Sequence, residues 1–211
     1  MENFQIIKPF GPSIVKIKMS SEMISEMNNY VDLIIQDKEK SKNLDEGSNL
    51  IGKVQQEFLM EVDFMKKIKW AEFLASAVSK WVLEEQNKKI KNFQLIKSWI
   101  VRQFQNDYNP VHYHSGHISG AGYLKVPSNF GKTTQADKKT NENGKLQLIY
   151  GSPNLLSKST HLIKPEVGDF YLFPNYLMHT VYPFKNKNSE RRSISFNASI
   201  DDDIYNVYGK S

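Results

Sequence analysis

Two periodicities divide the chain near residue 92. Ahead of that point, apolar positions recur at helical spacing. Ser20 or Ser21 can cap a helix whose one face carries Met23, Ile24, Met27, Tyr30, Val31 and Ile34. A short alternating run at 13–18 reads as a strand, and the polar stretch 41–52 reads as a loop. A second, longer helix is predicted over roughly 64–86, with Phe64, Ile68, Phe73, Leu74, Ala77, Val78 and Trp81 on its inner face. From residue 93 the pattern becomes short, alternating and β-like, at 95–104, 118–126, 146–150, 161–164, 170–173, 177–182 and 193–200. Turn residues separate these runs: Asn109-Pro110, Pro127-Ser128, Gly151-Ser152-Pro153, Gly168-Asp169 and Pro174-Asn175. Strands that follow one another without intervening helices predict a sandwich or jelly roll rather than βαβ units. The fold class is therefore mainly β with N-terminal helices. One domain over 1–211 is expected, with 1–92 supporting a β core at 93–205. The polar insert 128–145 is a candidate lid.

Composition narrows the function classes. The chain has 211 residues and no cysteine, which removes disulfides, zinc ribbons, iron–sulfur clusters and thiol nucleophiles. No apolar run approaches the ~20 residues of a membrane span. The first eighteen residues are too polar for a secretory signal, so the expected compartment is cytoplasmic. The net charge of +5 comes almost wholly from scattered lysines, with arginine only at 102, 191 and 192. That usage argues against a nucleic-acid partner, because such proteins spend arginine on bases and phosphates.

The chemistry concentrates in a few residues. Three of the five histidines fall in Asn109-Pro-Val-His112-Tyr-His114-Ser-Gly-His117. His112 and His114 are two apart, so on a strand they share a face. His179, in Tyr176-Leu-Met-His-Thr-Val, can supply a third imidazole from a facing strand, and three such ligands on one side leave positions open. The alternative is that these are hydrogen-bonding residues near a turn. Downstream, Arg191, Ser193, Ser195 and Asn197 alternate with apolar Ile194, Phe196 and Ala198. A guanidinium with hydroxyls on one face offers a fork to a carboxylate.

In order along the chain, these pieces are His112-x-His114, Ser119-Gly-Ala-Gly-Tyr-Leu-Lys-Val-Pro127, Gly168-Asp-Phe-Tyr-Leu-Phe-Pro174, His179 and Arg191-x-Ser193-x-Ser-Phe-Asn197. Together they resemble the 2-oxoglutarate/Fe(II)-dependent dioxygenase superfamily, and among its members the prolyl-hydroxylase-like oxygenases carried by bacteria and marine bacteriophages. The resemblance spans roughly residues 95–200. It implies a double-stranded β-helix (jelly roll, cupin-like), an oxidoreductase that hydroxylates a substrate while 2-oxoglutarate becomes succinate, and Fe(II) and 2-oxoglutarate as cofactor and small-molecule co-substrate. Carried over by residue, it implies metal binding by His112 and His179, and 2-oxoglutarate binding by Arg191 and Ser193 with help from Tyr123. One position departs from the family pattern: an Asp or Glu is usual where His114 stands. A three-histidine metal site of His112, His114 and His179 is ranked first, with a carboxylate from elsewhere, Asp107 being nearest, as the alternative. His117 has the opposite parity and His161 is read as structural. Trp99, Tyr108 and Tyr113 are expected at the mouth of the site.

Two other readings compete. A cupin-like metalloprotein with three histidines, independent of 2-oxoglutarate, has no need of Arg191. A non-catalytic β-sandwich has no need of the histidines either, and leaves the ordered motif unexplained. The prime substrate stays open, since fold and cofactor do not fix what is oxidised. A homodimer through the N-terminal helices is also open.

Overall fold

The computed structural model describes residues 4–7, 11–47, 52–133 and 139–206. In chain order these form β1 (Gln5–Ile7), β2 (Ile14–Lys18), α1 (Ser21–Gln36), α2 (Lys38–Leu44), β3 (Gln56–Leu59), α3 (Val62–Lys67) and α4 (Trp70–Gln86). Then come β4 (Phe93–Gln103), β5 (Asn109–His112), β6 (Ile118–Lys125), β7 (Leu146–Ile149), β8 (Thr160–Ile163), β9 (Asp169–Pro174), β10 (Met178–Val181), β11 (Arg191–Ile200) and α5 (Asp202–Tyr205). The larger sheet runs β1-β2-β9-β6-β11-β4-β3 and the smaller β5-β10-β7-β8. Every pairing is antiparallel. This is the expected double-stranded β-helix.

The larger sheet is buried on both sides. Ile194, Phe196 and Ala198 of β11 join Met27, Val31 and Ile34 of α1 and Trp70, Leu74 and Val78 of α4 in one apolar cluster. On the opposite face, Tyr123, Tyr171 and Phe173 pack with Leu146 and Leu148 of β7 and with Leu177, filling the space between the sheets. Each fully buried aliphatic or aromatic side chain contributes about 1.5–3 kcal/mol to holding these layers together. Gly120 and Gly122 of β6 serve the helix side. A Cβ on Gly122 would lie 2.2 Å from the Phe170 ring, and one on Gly120 would lie 2.6 Å from the Tyr171 carbonyl. Only glycine lets Phe170 lie flat against that strand.

Polar anchors set the helices on the sheet. Ser20 accepts a hydrogen bond from the Met23 amide and caps α1, a contribution of about 1 kcal/mol. The Trp70 and Trp81 indoles of α4 donate to Ser98 and Ser13. Arg192, the β11 residue that points toward the helices, donates to Asp32 at 2.6 Å and to Glu190 at 2.8 Å.

Three expectations about local structure are revised. Residues 41–44 are helical, not loop, because Asp37 caps α2 by accepting from the amides of Glu39 and Lys40; residues 48–51 lie outside the described residues. The single helix over 64–86 is two helices, broken where Lys69 takes a left-handed backbone at φ 53 and ψ 40. Asn109-Pro110 is not a turn but the start of β5. That strand is at the edge of its sheet, where a proline without an N–H is tolerated. The apolar stripe of α1 is buried within the chain. No described helix is long and apolar enough to cross a membrane.

Glu190 yields a test of this packing. Burial raises its carboxyl, but hydrogen bonds from Arg192, Arg102 and Lys125 outweigh that and hold it at about 2, against an ordinary 4.5. A depressed carboxyl stabilises the fold above its unfolded value, and that stability fades as pH falls from about 4.5 toward 2. Urea midpoints measured across that window should fall less steeply with acid for Glu190→Gln than for the native chain. Parallel curves would show that Glu190 carries no such linkage.

Candidate functional site

The three histidines come together because of strand register. His112 of β5 and His179 of β10 are direct cross-strand partners, and His114 follows just beyond the end of β5. The ligand atoms of His112, His114 and His179 all lie within 4.8 Å of one another. Two of the rings are oriented by backbone. Nδ1–H of His112 donates to the Pro110 carbonyl at 2.7 Å, and Nδ1–H of His179 donates to the Leu177 carbonyl at 2.9 Å. A carbonyl only accepts, so both rings carry their proton on Nδ1 and turn a bare Nε2 inward. Nε2 of His114 lies 3.1 Å from Nε2 of His179. Trp99 flanks His114 with ring centroids 5.4 Å apart, and Phe173 flanks His179 at 5.0 Å.

The surroundings keep these rings neutral. Burial, then the neighbouring His179, His112 and Lys97, brings His114 down to about 2. Burial and His112 hold His179 at about 3, against the Leu177 carbonyl, and burial lowers His112 as well. Neutral imidazole is the form that binds a metal. The set fits a borderline divalent ion such as iron, zinc, copper or nickel.

The opposite wall of the same cavity, about 430 Å³ in volume, is the inner face of the larger sheet. It presents Arg191, Ser193, Ser195 and Asn197 of β11, Tyr123 of β6 and Gln103 of β4. Register puts Tyr123 and Ser193 directly across from one another, and Gln103 across from Arg191. The Arg191 guanidinium is only 2 % exposed. Its Nη1 donates to the Gly144 carbonyl at 2.7 Å, and Nη2 donates to Gln103 Oε1. That leaves Arg191 Nε and the Tyr123 hydroxyl buried without a hydrogen-bond partner among the described residues. Burial lowers Arg191 to about 10, with Tyr123 opposing, so it stays charged at neutral pH; burial raises Tyr123, which stays a neutral phenol. A buried guanidinium with neutral partners only and a free Nε, beside a buried hydroxyl without an acceptor, is costly unless a ligand supplies one. A carboxylate meets both.

All six residues predicted to form the site thus line one cavity. Trp99 and Tyr113 line it too, whereas Tyr108 is not among its walls. His117 is elsewhere, with Nδ1 on the backbone of Ile200 and its ring stacked on Tyr205. Asp107 is spent on the Phe104 amide, which donates to its Oδ2 at 2.9 Å. The insert 128–145 is pinned at both described ends. The Phe130 carbonyl accepts from the Lys185 amide, Asn143 bonds across to the backbone of 130–132, and Gly144 meets Arg191. Its tip, 134–138, is outside the described residues.

Glu57, Lys97, Gln103 and Ser115 are polar residues of the cavity that escaped the sequence reading. Gln103 shares the parity of Lys97, Trp99 and Val101 along β4, so extending that alternation would have found it. Glu57 sits on a strand of only four residues, too short to register as a periodic pattern. Burial pushes its carboxyl up to about 7; Lys97 opposes this, while Glu46 and Asp45 add to it.

Residues 97–197 match the family described as "Putative 2OG-Fe(II) oxygenase". A comparison with curated proteins found no match. Among solved structures, the chain is similar to a prolyl hydroxylase from Trichoplax adhaerens in complex with a hypoxia inducible factor peptide. The TM-score is 0.57 and the identity 15 %, with 99 % of this chain and 88 % of that one covered. It is similar to the α-ketoglutarate-dependent epimerase SnoN from nogalamycin biosynthesis, with TM-score 0.61, identity 14 %, and 88 % and 76 % covered. It is also similar to HygX from Streptomyces hygroscopicus with nickel and 2-oxoglutarate bound, with TM-score 0.53, identity 11 %, and 88 % and 81 % covered. At these identities the structural likenesses establish the fold.

Metal titration tests the cluster directly. His179→Ala should weaken Fe(II) binding by more than the roughly 10–100-fold typical of losing an outer-shell partner. His117→Ala should leave it unchanged. Anaerobic calorimetry of the two variants reads the difference, and equal affinities would remove His179 from the metal site.

Proposed function

We propose that this chain, whose residues 97–197 match the 2OG-Fe(II) oxygenase family, is an oxidoreductase that uses Fe(II) and 2-oxoglutarate and hydroxylates an organic substrate at the three-histidine site. The observation that carries this reading is the pairing, in one cavity, of three imidazoles with an opposing Arg191 Nε and Tyr123 hydroxyl that lack partners among the described residues.

His112, His114 and His179 are the metal ligands in this reading, each neutral and two of them fixed by backbone carbonyls. Arg191 takes the far carboxylate of 2-oxoglutarate through Nε, with the Tyr123 and Ser193 hydroxyls beside it. Gln103 and the Gly144 carbonyl hold the guanidinium still, so little side-chain freedom is lost when the co-substrate arrives. When bound, Fe(II) and 2-oxoglutarate supply the oxidation: one oxygen atom of O₂ enters a substrate C–H bond as hydroxyl, the other enters succinate, and CO₂ leaves. Trp99, Leu146 and Val181 give the same cavity an apolar part. A cytoplasmic setting belongs to the same reading. The 2-oxoglutarate-independent alternative is not favoured, because the match over 97–197 is to enzymes named for that co-substrate.

The test needs no prime substrate. Fe(II) followed by 2-oxoglutarate, added without oxygen, should give the weak visible charge-transfer band of the chelate. Arg191→Ala should raise the 2-oxoglutarate concentration required by roughly 10- to 100-fold, the scale of one or two lost charge-assisted hydrogen bonds. Iron binding without any band would restore the alternative reading.

A further inference from the structure

The cavity has a second charged wall that the co-substrate does not use. Glu57 of β3 pairs with Val101 of β4, Val101 with Ser193 of β11, and Ser193 with Tyr123 of β6. These four residues form one row across the inner face of the larger sheet, with Tyr123 at one end and Glu57 at the other. At the ~4.8 Å spacing of neighbouring strands, Glu57 stands about 10 Å from Ser193. It lines the same cavity as the histidines.

Glu57 is 5 % exposed and lines the cavity, and the charges that act on its carboxyl are Lys97, which favours the carboxylate, and Glu46 and Asp45, which oppose it. Its own amide donates to Asp45 Oδ1, and its carbonyl accepts from the Glu46 amide, so the backbone is fixed and the side chain is not. Asp45 and Glu46 add negative charge nearby without neutralising it. The facing cation is Lys97, which also lines the cavity, but its ammonium sits over the Trp99 ring at 5.1 Å. Burial and acidic neighbours push this carboxyl toward its neutral form, and a cation brought beside it would favour the carboxylate. The far end of the cavity therefore has the opposite preference to the Arg191 end.

We propose that Glu57 is a specificity-determining residue that receives a protonated amine of the prime substrate. The proposal rests on the reading above, since it takes the Arg191 end to be filled by 2-oxoglutarate. A cavity of about 430 Å³ falls within the ~300–1,000 Å³ common for small-molecule sites. It favours a compact amine over a bulky cation.

The experiment uses the full chain loaded with Fe(II) and 2-oxoglutarate without oxygen, and three four-carbon probes: n-butylammonium, 1-butanol and butyrate. Proton line broadening of each probe by the paramagnetic iron reports its occupancy. The native protein should broaden n-butylammonium well ahead of the other two. Glu57→Gln, which keeps the shape and removes the charge, should weaken that binding at least tenfold while the chelate band persists. If the band forms but the three probes behave alike, or if Glu57→Gln binds the amine as well as the native chain does, this proposal alone is overturned. Lys97 would then be the internal partner of Glu57. If the native protein gives no band, the parent reading fails and takes this one with it. Should Glu57→Gln lose the band, the three-probe comparison on the native protein decides by itself.

Discussion

The strand Arg191–Ile200 must be buried on both faces at once, and the alternation of its side chains is the constraint on which everything else depends. One parity, Ile194, Phe196 and Ala198, closes the apolar layer under α1 and α4. The other parity, Arg191, Ser193, Ser195 and Asn197, walls the cavity. A slip of one residue would put a guanidinium into the apolar layer and a phenylalanine into the site. Both neighbours hold the register, β4 through ten paired positions and β6 through seven. The precision of the site thus derives from hydrophobic burial on the far side of the sheet, not from the polar groups themselves.

The consecutive arginines show how the same residue type is used in opposite ways. Arg192 faces the helices and is matched by Glu190 and Asp32, so it acts as a tether. Arg191 faces the cavity, and its protein partners are the amide of Gln103 and a backbone carbonyl, both neutral. A neutral partner orients a guanidinium without cancelling its charge. In the proposed reading that difference separates a structural arginine from one that takes an anion, and Arg191 Nε and the Tyr123 hydroxyl are both buried without a partner among the described residues.

Much of this could be read from the sequence because the signals were local. His112 and His114 share a face by spacing alone, β11 declares its two faces by alternation, and Ser20 announces α1. What escaped depended on contacts distant in sequence or on runs too short to be periodic. The break at Lys69 needs one residue in a left-handed conformation inside an otherwise helical pattern. Pro110 reads as a turn until the strand beside it is known to be an edge. Glu57 belongs to the cavity only because β3 pairs with β4 some forty residues later, and no property of Gln56–Leu59 reveals that.

In the proposed reading, where His114 is a metal ligand, the charge balance of the whole cavity matters. A carboxylate ligand would offset part of the charge of a divalent ion where it binds. With three neutral imidazoles, that offset must come from further away, and the cavity already holds Arg191 and Lys97 as cations. Glu57, whose carboxyl burial pushes up to about 7, is the acidic residue among the described walls, and 2-oxoglutarate would bring two negative charges. In the proposed reading, the metal's charge is balanced chiefly by its co-substrate. Metal and 2-oxoglutarate then favour each other's binding more strongly than they would beside a carboxylate ligand, because each supplies the countercharge that the protein withholds.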